Sequence, residues 1–290
     1  MARIQEFNQL TMCPLCQSDL KPWQVSPSRY KLSHCSRCQL VLQNPPIEDP
    51  ELYSGAYFGV EEDDLASTSF FEMKKWSFGK MIVPVLNKVS LEGGSRILDV
   101  GCGMGPLLDV LSSKGFEVFG LEIGKKSWEF ANRRHPNHVF QGFLCDTPFH
   151  DDFFDLITMY DVIEHMQDPI GAMHQARRLL KPGGWVYLLT PNIFSINSRL
   201  FGQHWYQYKP NEHLFYFSPT SLDLLLRRCR FDEVTIQAAG VYTDLARISH
   251  PRVASSPLLA KLLSVFRNIR VSFRVWVPSG HVCAFGRKEY

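Results

Sequence analysis

Between residues 97 and 105 the chain reads Ile97-Leu98-Asp99-Val100-Gly101-Cys102-Gly103-Met104-Gly105, an apolar run of strand type that breaks into three alternating glycines. Glycine admits positive φ and lets a ligand approach the backbone closely. A buried strand that turns on glycines into a helix places that ligand at the carboxyl end of a parallel sheet, beside a helix N-terminus. Such a strand cannot stand alone, so the rest of the chain must supply parallel neighbours and crossover helices.

The downstream pattern meets that demand. Strands are expected at Arg96–Val100, Glu117–Leu121, His138–Gln141, Phe154–Tyr160 and Trp185–Thr190, with helices at Gly105–Ser113, Lys125–Arg134 and Pro169–Leu180 between them. An amphipathic helix is expected over Phe70–Val89, kinked or divided at Pro84. Ser218-Pro219 reads as an N-cap and first turn. Val234–Ala238 and His281–Gly286 read as the last two strands. The fold class is α/β, Rossmann-like.

Glu122 closes the second strand, where a carboxylate can accept from both hydroxyls of a ribose. A dinucleotide loop would have the spacing G-x-G-x-x-G, and the place of its third glycine holds Pro106. The loop therefore favours a nucleoside ligand without a pyrophosphate.

Upstream, Cys13, Cys16, Cys35 and Cys38 form C-x2-C-x18-C-x2-C. Two thiolate knuckles can grip a tetrahedral soft ion, so residues 1–48 read as a ribbon stapled by structural Zn2+, with His34 a spectator. Residues 49–70 read as a linker, carrying the acidic patch Glu61-Glu62-Asp63-Asp64. Eight cysteines with no apolar leader suggest a reducing, cytoplasmic setting. The formal net charge of +2 offers no field for nucleic acid.

With these residues in view, Asp99 through Gly105 resembles the first motif of class I S-adenosylmethionine-dependent methyltransferases. Phe154-Asp155-Leu156-Ile157, Asp161-Val162-Ile163-Glu164-His165, Leu180-Lys181-Pro182-Gly183-Gly184 and Thr190-Pro191-Asn192 are similar to later segments of the same superfamily, in the same order. The ribbon, with Asn44-Pro45-Pro46, Tyr53 and Tyr57-Phe58, resembles bacterial methyltransferases of surface-glycan and secondary-metabolite pathways. The resemblance implies a seven-stranded sheet with an antiparallel last strand over residues 71–290. It also implies S-adenosylmethionine as cofactor: Asp99, Gly101, Gly103 and Gly105 on its methionine and ribose side, Glu122 on the ribose, and Phe143 and Leu144 near adenine. Cys102, Ile123 and Tyr160 complete the cofactor-side candidates. Where relatives carry a carboxylate near the adenine, this chain has Phe143 and Cys145, with Asp146 a nearby substitute.

Methyl transfer to a hydroxyl needs a base. Arg199, His204-Trp205, Tyr206, Tyr208 and Asn211-Glu212-His213 crowd the connection after the fifth strand, and His213 is the expected base, with His204 and Tyr160 as further catalytic candidates. Asp161, Glu164 and His165 resemble a segment that, in ubiquinone-pathway O-methyltransferases, is associated with a divalent metal; a polar helix start is the alternative. Residues 241–279 read as a lid insertion. Within it Leu258, Leu259, Leu262, Leu263, Phe266 and Ile269 recur at helical spacing among Lys261, Arg267 and Arg270. Packing on its own domain is the expected role, and a peripheral membrane contact through 256–276 the alternative. The expected acceptor is a small molecule or glycan. Two alternatives stand beside it: an RNA methyltransferase that uses the ribbon for substrate, and a non-catalytic ribbon protein with a vestigial cofactor fold.

Overall fold

A computed structural model describes residues 9–23, 31–45, 68–209, 212–244 and 274–290. The expected glycine-turn strand, β4 (Arg96–Val100), lies inside a seven-stranded sheet. On one side it pairs in parallel with β5 (Glu117–Glu122), and β5 with β6 (Val139–Gln141). On the other it pairs in parallel with β7 (Phe154–Tyr160), and β7 with β8 (Leu180–Pro191). A long hairpin completes the sheet. Here β11 (Arg274–Lys288) runs antiparallel to both β8 and β10 (Phe231–Asp244). The strand order is β10-β11-β8-β7-β4-β5-β6, so the antiparallel strand expected last is present.

Both faces of the sheet are covered, which explains why β4 and β7 are apolar almost throughout. One face carries α1 (Thr68–Val89) and α2 (Pro106–Ser112), whose Ile82, Val85, Leu107 and Leu111 pack with Ile97, Leu156 and Tyr187. The other carries α4 (Pro169–Leu179) and α6 (Pro219–Arg228), whose Met173, Ala176, Leu222 and Leu225 pack with Leu98, Ile157 and Leu188. The helix α3 (Lys125–Arg134) follows β5. Pro84 does not divide α1, because Ile82 and Val85 are both buried and fasten the turns on either side of it. The Lys181-Pro182-Gly183-Gly184 stretch joins β8 through a register shift between Phe154 and Leu156 on β7.

The ribbon is not a separate appendage. Its strands β1 (Leu20–Pro22), β2 (Leu32–Cys35) and β3 (Val41–Gln43) continue into β9 (Phe215–Tyr216), a strand of the catalytic half, to make one four-stranded sheet. Val41 pairs with Tyr216 and Leu42 with Phe215. Leu15, Leu40 and Leu42 share a core with Phe217, Leu222 and Leu225. Arg228 on α6 donates to the carbonyl of Pro14 at 2.9 Å, and Thr220 donates to Gln39 at 3.1 Å.

Of the expected lid, residues 241–244 and 274–279 belong to the hairpin strands, and the amphipathic stretch falls outside the described residues, as do most of the 49–70 linker and Asn211. Among the described residues no helix is long and apolar enough to cross a membrane.

Candidate active site

The glycine turn works through backbone geometry. Gly101, Gly103 and Gly105 have φ of 69°, 54° and 83°, and Gly105 is the N-cap of α2 with Pro106 at its start. A Cβ on Gly101 would lie 2.6 Å from Val162 Cγ2, so side chains are excluded there by contact as well as by φ. Nothing lies within 4 Å of a Cβ placed on Gly103, where the turn opens to the cleft.

Glu122 ties this turn to the next one. One carboxylate oxygen accepts from the Gly103 N–H at 2.8 Å and the other from the Gly124 N–H at 2.7 Å. Burial raises its carboxyl above the usual range, against the pull of the Gly124, Gly103 and Ile123 amides. Each oxygen keeps a second lone pair, enough to accept one ribose hydroxyl each. Ile123 follows Glu122 and its carbonyl accepts from Gln141 Nε2 at 3.3 Å. The Phe143 ring is exposed, whereas Leu144 is buried and Cys145 is exposed.

Three expected cofactor residues act from beneath the cleft. Asp99 is buried and accepts from Thr158 Oγ1 at 2.7 Å. Burial pushes its carboxyl up to about 7, with the Glu122 charge adding to the rise and Thr158 opposing it. Cys102 is buried against Gly120, where a Cβ would lie 2.7 Å from its sulfur. Tyr160 packs edge-on to Phe78 at 5.1 Å and against Tyr187 at 5.2 Å, with its hydroxyl enclosed. It is a wall of the site and does not present a base.

On the far side of the turn a second group of polar residues converges. Glu164 and His165 stand on the single 3-10 turn Ile163–His165, and His213 reaches them from the connection after β8. Ligand-capable atoms of all three lie within 4.8 Å of one another, and all three residues are buried. The His165 and His213 rings meet edge to face at 4.6 Å. His165 donates from Nδ1 to the Glu212 carbonyl at 2.7 Å, which makes Nε2 its lone-pair nitrogen. Glu164 accepts from Thr190 at 2.9 Å through one oxygen, while its other oxygen and His213 Nδ1 are buried without a hydrogen-bond partner. Burial, then the neighbouring Asp161 charge, raises the Glu164 carboxyl well above its range. Burial pulls both imidazoles down, His165 to about 4 and His213 well below its usual value.

This arrangement changes two sequence-based expectations. His213 is 2% exposed, a poor position for a base that must meet an acceptor, and its Nδ1 is buried without a hydrogen-bond partner in a group of three residues whose ligand-capable atoms lie within 4.8 Å of one another. Asp161 stands outside the trio: its Oδ1 lies 3.1 Å from His281 Nε2, and His213 takes the third place. His204 is exposed beside Gln203 and takes no part in the trio. His281 and Lys74, which faces Asp161 from α1, carried no signal in a linear reading. One lies in a strand and the other on a helix, far apart in the chain.

The ribbon cysteines gather as the spacing demands. Sγ–Sγ distances are 3.5 Å for Cys13–Cys38 and 3.3 Å for Cys16–Cys35, and all four sulfurs lie within 4.8 Å of one another. A Zn–S bond of about 2.3 Å in tetrahedral geometry separates sulfurs by about 3.8 Å, so the four thiols fit Zn2+ with little adjustment. The hydrogen bond from Cys38 draws the Cys13 thiol down toward thiolate, the form a metal takes. His34 packs on the Trp23 ring at 5.3 Å.

Comparison with known proteins agrees with this geometry. A family model described as a methyltransferase domain matches residues 74–235. The chain is 34% identical over 110 residues to the ubiquinone biosynthesis O-methyltransferase of Paracidovorax citrulli, covering 34% of this chain and 44% of that protein. It is 32% identical over 124 residues to the enzyme of that name from Vibrio cholerae, covering 40% and 50%. It thus spans about half the length of these relatives or less. Among solved structures, the fold is similar to Haemonchus contortus phosphoethanolamine N-methyltransferase 2 in complex with S-adenosyl-L-methionine. The TM-score there is 0.52 at 17% identity, covering 80% of this chain and 61% of that one. A SAM-dependent methyltransferase from Archaeoglobus fulgidus gives 0.50 at 18% identity, covering 77% and 100%.

Proposed function

The chain belongs to the S-adenosylmethionine-dependent methyltransferases of class I, and from that premise we propose that it methylates a hydroxyl group of a small molecule or glycan. Glu122 carries the cofactor half of the reading: a buried carboxylate, fixed by the Gly103 and Gly124 amides at the mouth of the turn, with one lone pair left on each oxygen for the ribose. The Phe143 ring offers adenine a stacking surface, and Gly103 leaves the methionine part room beside the backbone. S-adenosylmethionine when bound supplies the activated methyl group, so the protein has chiefly to align donor and acceptor.

The preference for a hydroxyl is supported by the relatives, which are named O-methyltransferases, and by the trio of Glu164, His165 and His213. Two buried orphan atoms facing one lone-pair nitrogen make a donor set for a divalent cation. Such an ion, reached by an acceptor oxygen on the side of His165, the most exposed of the three, would polarise that oxygen and ease loss of its proton. We therefore read His213 as a ligand and no longer as the base. The ribbon cysteines are read as a structural zinc site. Eight free thiols suit a reducing, cytoplasmic setting.

Two measurements test the reading. Calorimetry should give binding of S-adenosylmethionine and S-adenosylhomocysteine but not of NAD, and tighter NAD binding would overturn it. Hydroxylated small molecules, glycans and RNA would then be screened with methyl-labelled cofactor. Label in RNA alone would replace the acceptor class, and a protein that binds cofactor but labels nothing would point to the non-catalytic alternative.

A further inference from the structure

Asp161 follows the last residue of β7, with its N–H donating to the Leu189 carbonyl at 2.8 Å. Its φ is 53°, in the left-handed region, which aspartate and asparagine enter more readily than other residues with a side chain. Its side chain is 49% exposed, yet Oδ1 lies 3.1 Å from Nε2 of His281, whose own side chain is 4% exposed.

A specific distortion brings His281 there. Ala239 pairs with His281 and Val241 with Val277, so Pro278, Ser279 and Gly280 of β11 bulge out against the single residue Gly240. Bulges re-aim side chains beside functional sites. Three bonds hold this one in place: Tyr206 donates to the Ser279 carbonyl at 3.1 Å, Asn197 to Pro278 at 3.0 Å, and the Asn192 N–H to Gly280 at 2.9 Å. A Cβ on Gly280 would lie 2.7 Å from Ser195 Oγ. Ser279 Oγ lies 2.6 Å from His281 Nδ1. With that hydroxyl donating, the ring proton sits on Nε2, which lies 3.1 Å from the carboxylate oxygen, in contact but off the line of a hydrogen bond.

The position of Asp161 gives this device a purpose. Val162, the next residue, lies over Gly101. Asp161 thus stands on the opposite side of the glycine turn from Glu122, where the methionine end of the donor would emerge. Building on the cofactor reading above, we propose that the Asp161 carboxylate, positioned by His281, is the counter-charge for the sulfonium and makes the site prefer the methylated cofactor over its demethylated product. Burial alone would raise its carboxyl, but the His281 ring beside it and the Lys74 charge hold it below the usual range, so it is ionised at neutral pH. Transfer of the methyl group to the acceptor leaves a neutral thioether with no charge to hold. A carboxylate that favours the sulfonium ground state does not speed the chemical step. Its role is to load the donor and release the product.

The test is calorimetric, at fixed ionic strength, with three ligands that share the adenosine and amino-acid ends. These are S-adenosylmethionine, S-adenosylhomocysteine, and sinefungin, in which an ammonium replaces the sulfonium. Asp161→Asn keeps the shape and removes the charge, and asparagine tolerates a positive φ, so the variant should fold. It should weaken the two cationic ligands by about tenfold or more, on the scale of a partly screened charge pair, and leave the homocysteine form within about twofold. His281→Ala should lose part of the discrimination, and His281→Gln, which restores a donor, should recover it. Equal weakening of all three ligands by Asp161→Asn, or none, would overturn the proposal. An unchanged ratio in His281→Ala would overturn the positioning role. A wild-type protein that binds neither S-adenosyl compound would remove the cofactor reading, and this proposal with it.

Discussion

At Glu122 one carboxylate would serve both the fold and the proposed ligand, because Gly103 and Gly124 already donate one bond to each of its oxygens. Glu122→Ala should weaken S-adenosylmethionine and S-adenosylhomocysteine equally, by about 1.5–3 kcal/mol, and should also lower the melting temperature, since two amides lose their acceptor. Calorimetry and thermal melts check both parts. An effect on affinity alone would mean that the turn holds its shape without Glu122. Asp99 has the opposite character, a carboxyl that burial pushes up to about 7 from the ordinary aspartate value of about 3.9. Between those two values the folded chain binds a proton that the unfolded chain has lost, so this group's contribution to stability falls as pH rises from about 4 to 7. Asp99→Asn removes that slope and can still accept from Thr158. Urea midpoints of the two proteins should coincide near pH 4 and separate by pH 8, with the variant the more stable by a few kcal/mol at most, given about 1.4 kcal/mol per unit. Parallel curves would show an ordinary carboxyl. For the trio, elemental analysis after equilibration with Mn2+ should find the ribbon zinc retained in His213→Ala and the second ion lost. Wild-type protein that takes up no second ion would leave His213 as packing.

At the scale of elements, β4, β7 and α3 were legible to the residue, because apolar runs bounded by glycine and proline have few other ways to fold. What escaped was pairing between distant segments. The two-residue strand β9 has no periodicity to detect, and its partner lies some 170 residues upstream. Asp161 and His281 are separated by a similar kind of gap, 120 positions, and only the bulge in β11 makes them neighbours. The histidines were legible as chemistry but not in their roles, since burial of His213 is a property of the packed chain. The β3–β9 pairing also carries a prediction. Gln43 donates to the Leu214 carbonyl, and the Leu214 N–H donates to Glu164, both at 2.9 Å, so the ribbon is bonded through one residue to the trio. Loss of zinc in Cys13→Ser/Cys35→Ser should speed amide exchange at Gln43 and through Leu214–Tyr216, with β4 and β5 still protected. Unchanged protection of β9 would show that the ribbon sheet holds without its metal.

For the molecule as a whole, the carboxyl edge of the sheet divides the work. The glycine turn and Glu122 stand on β4 and β5, whereas Asp161 and the trio follow β7 and β8, with the ribbon sheet bonded to them through Leu214. Chelation of the ribbon zinc should accordingly leave S-adenosylhomocysteine affinity within about twofold, because no ribbon residue bonds the turn or Glu122. A parallel loss of cofactor binding would mean that the two halves fold as one unit. The four-stranded sheet also has a history in time. The ribbon is made well before its partner strand, and β3 can pair with β9 only when Phe215 and Tyr216 have been synthesised. At about 5–20 residues per second, a ribosome leaves that edge unpaired for roughly 10–30 s. For that interval an open strand bearing Val41 and Leu42 is presented to every other nascent chain nearby, and a metal ion held by the four cysteines, as proposed above, would keep the newborn ribbon folded until β9 arrives to cover it.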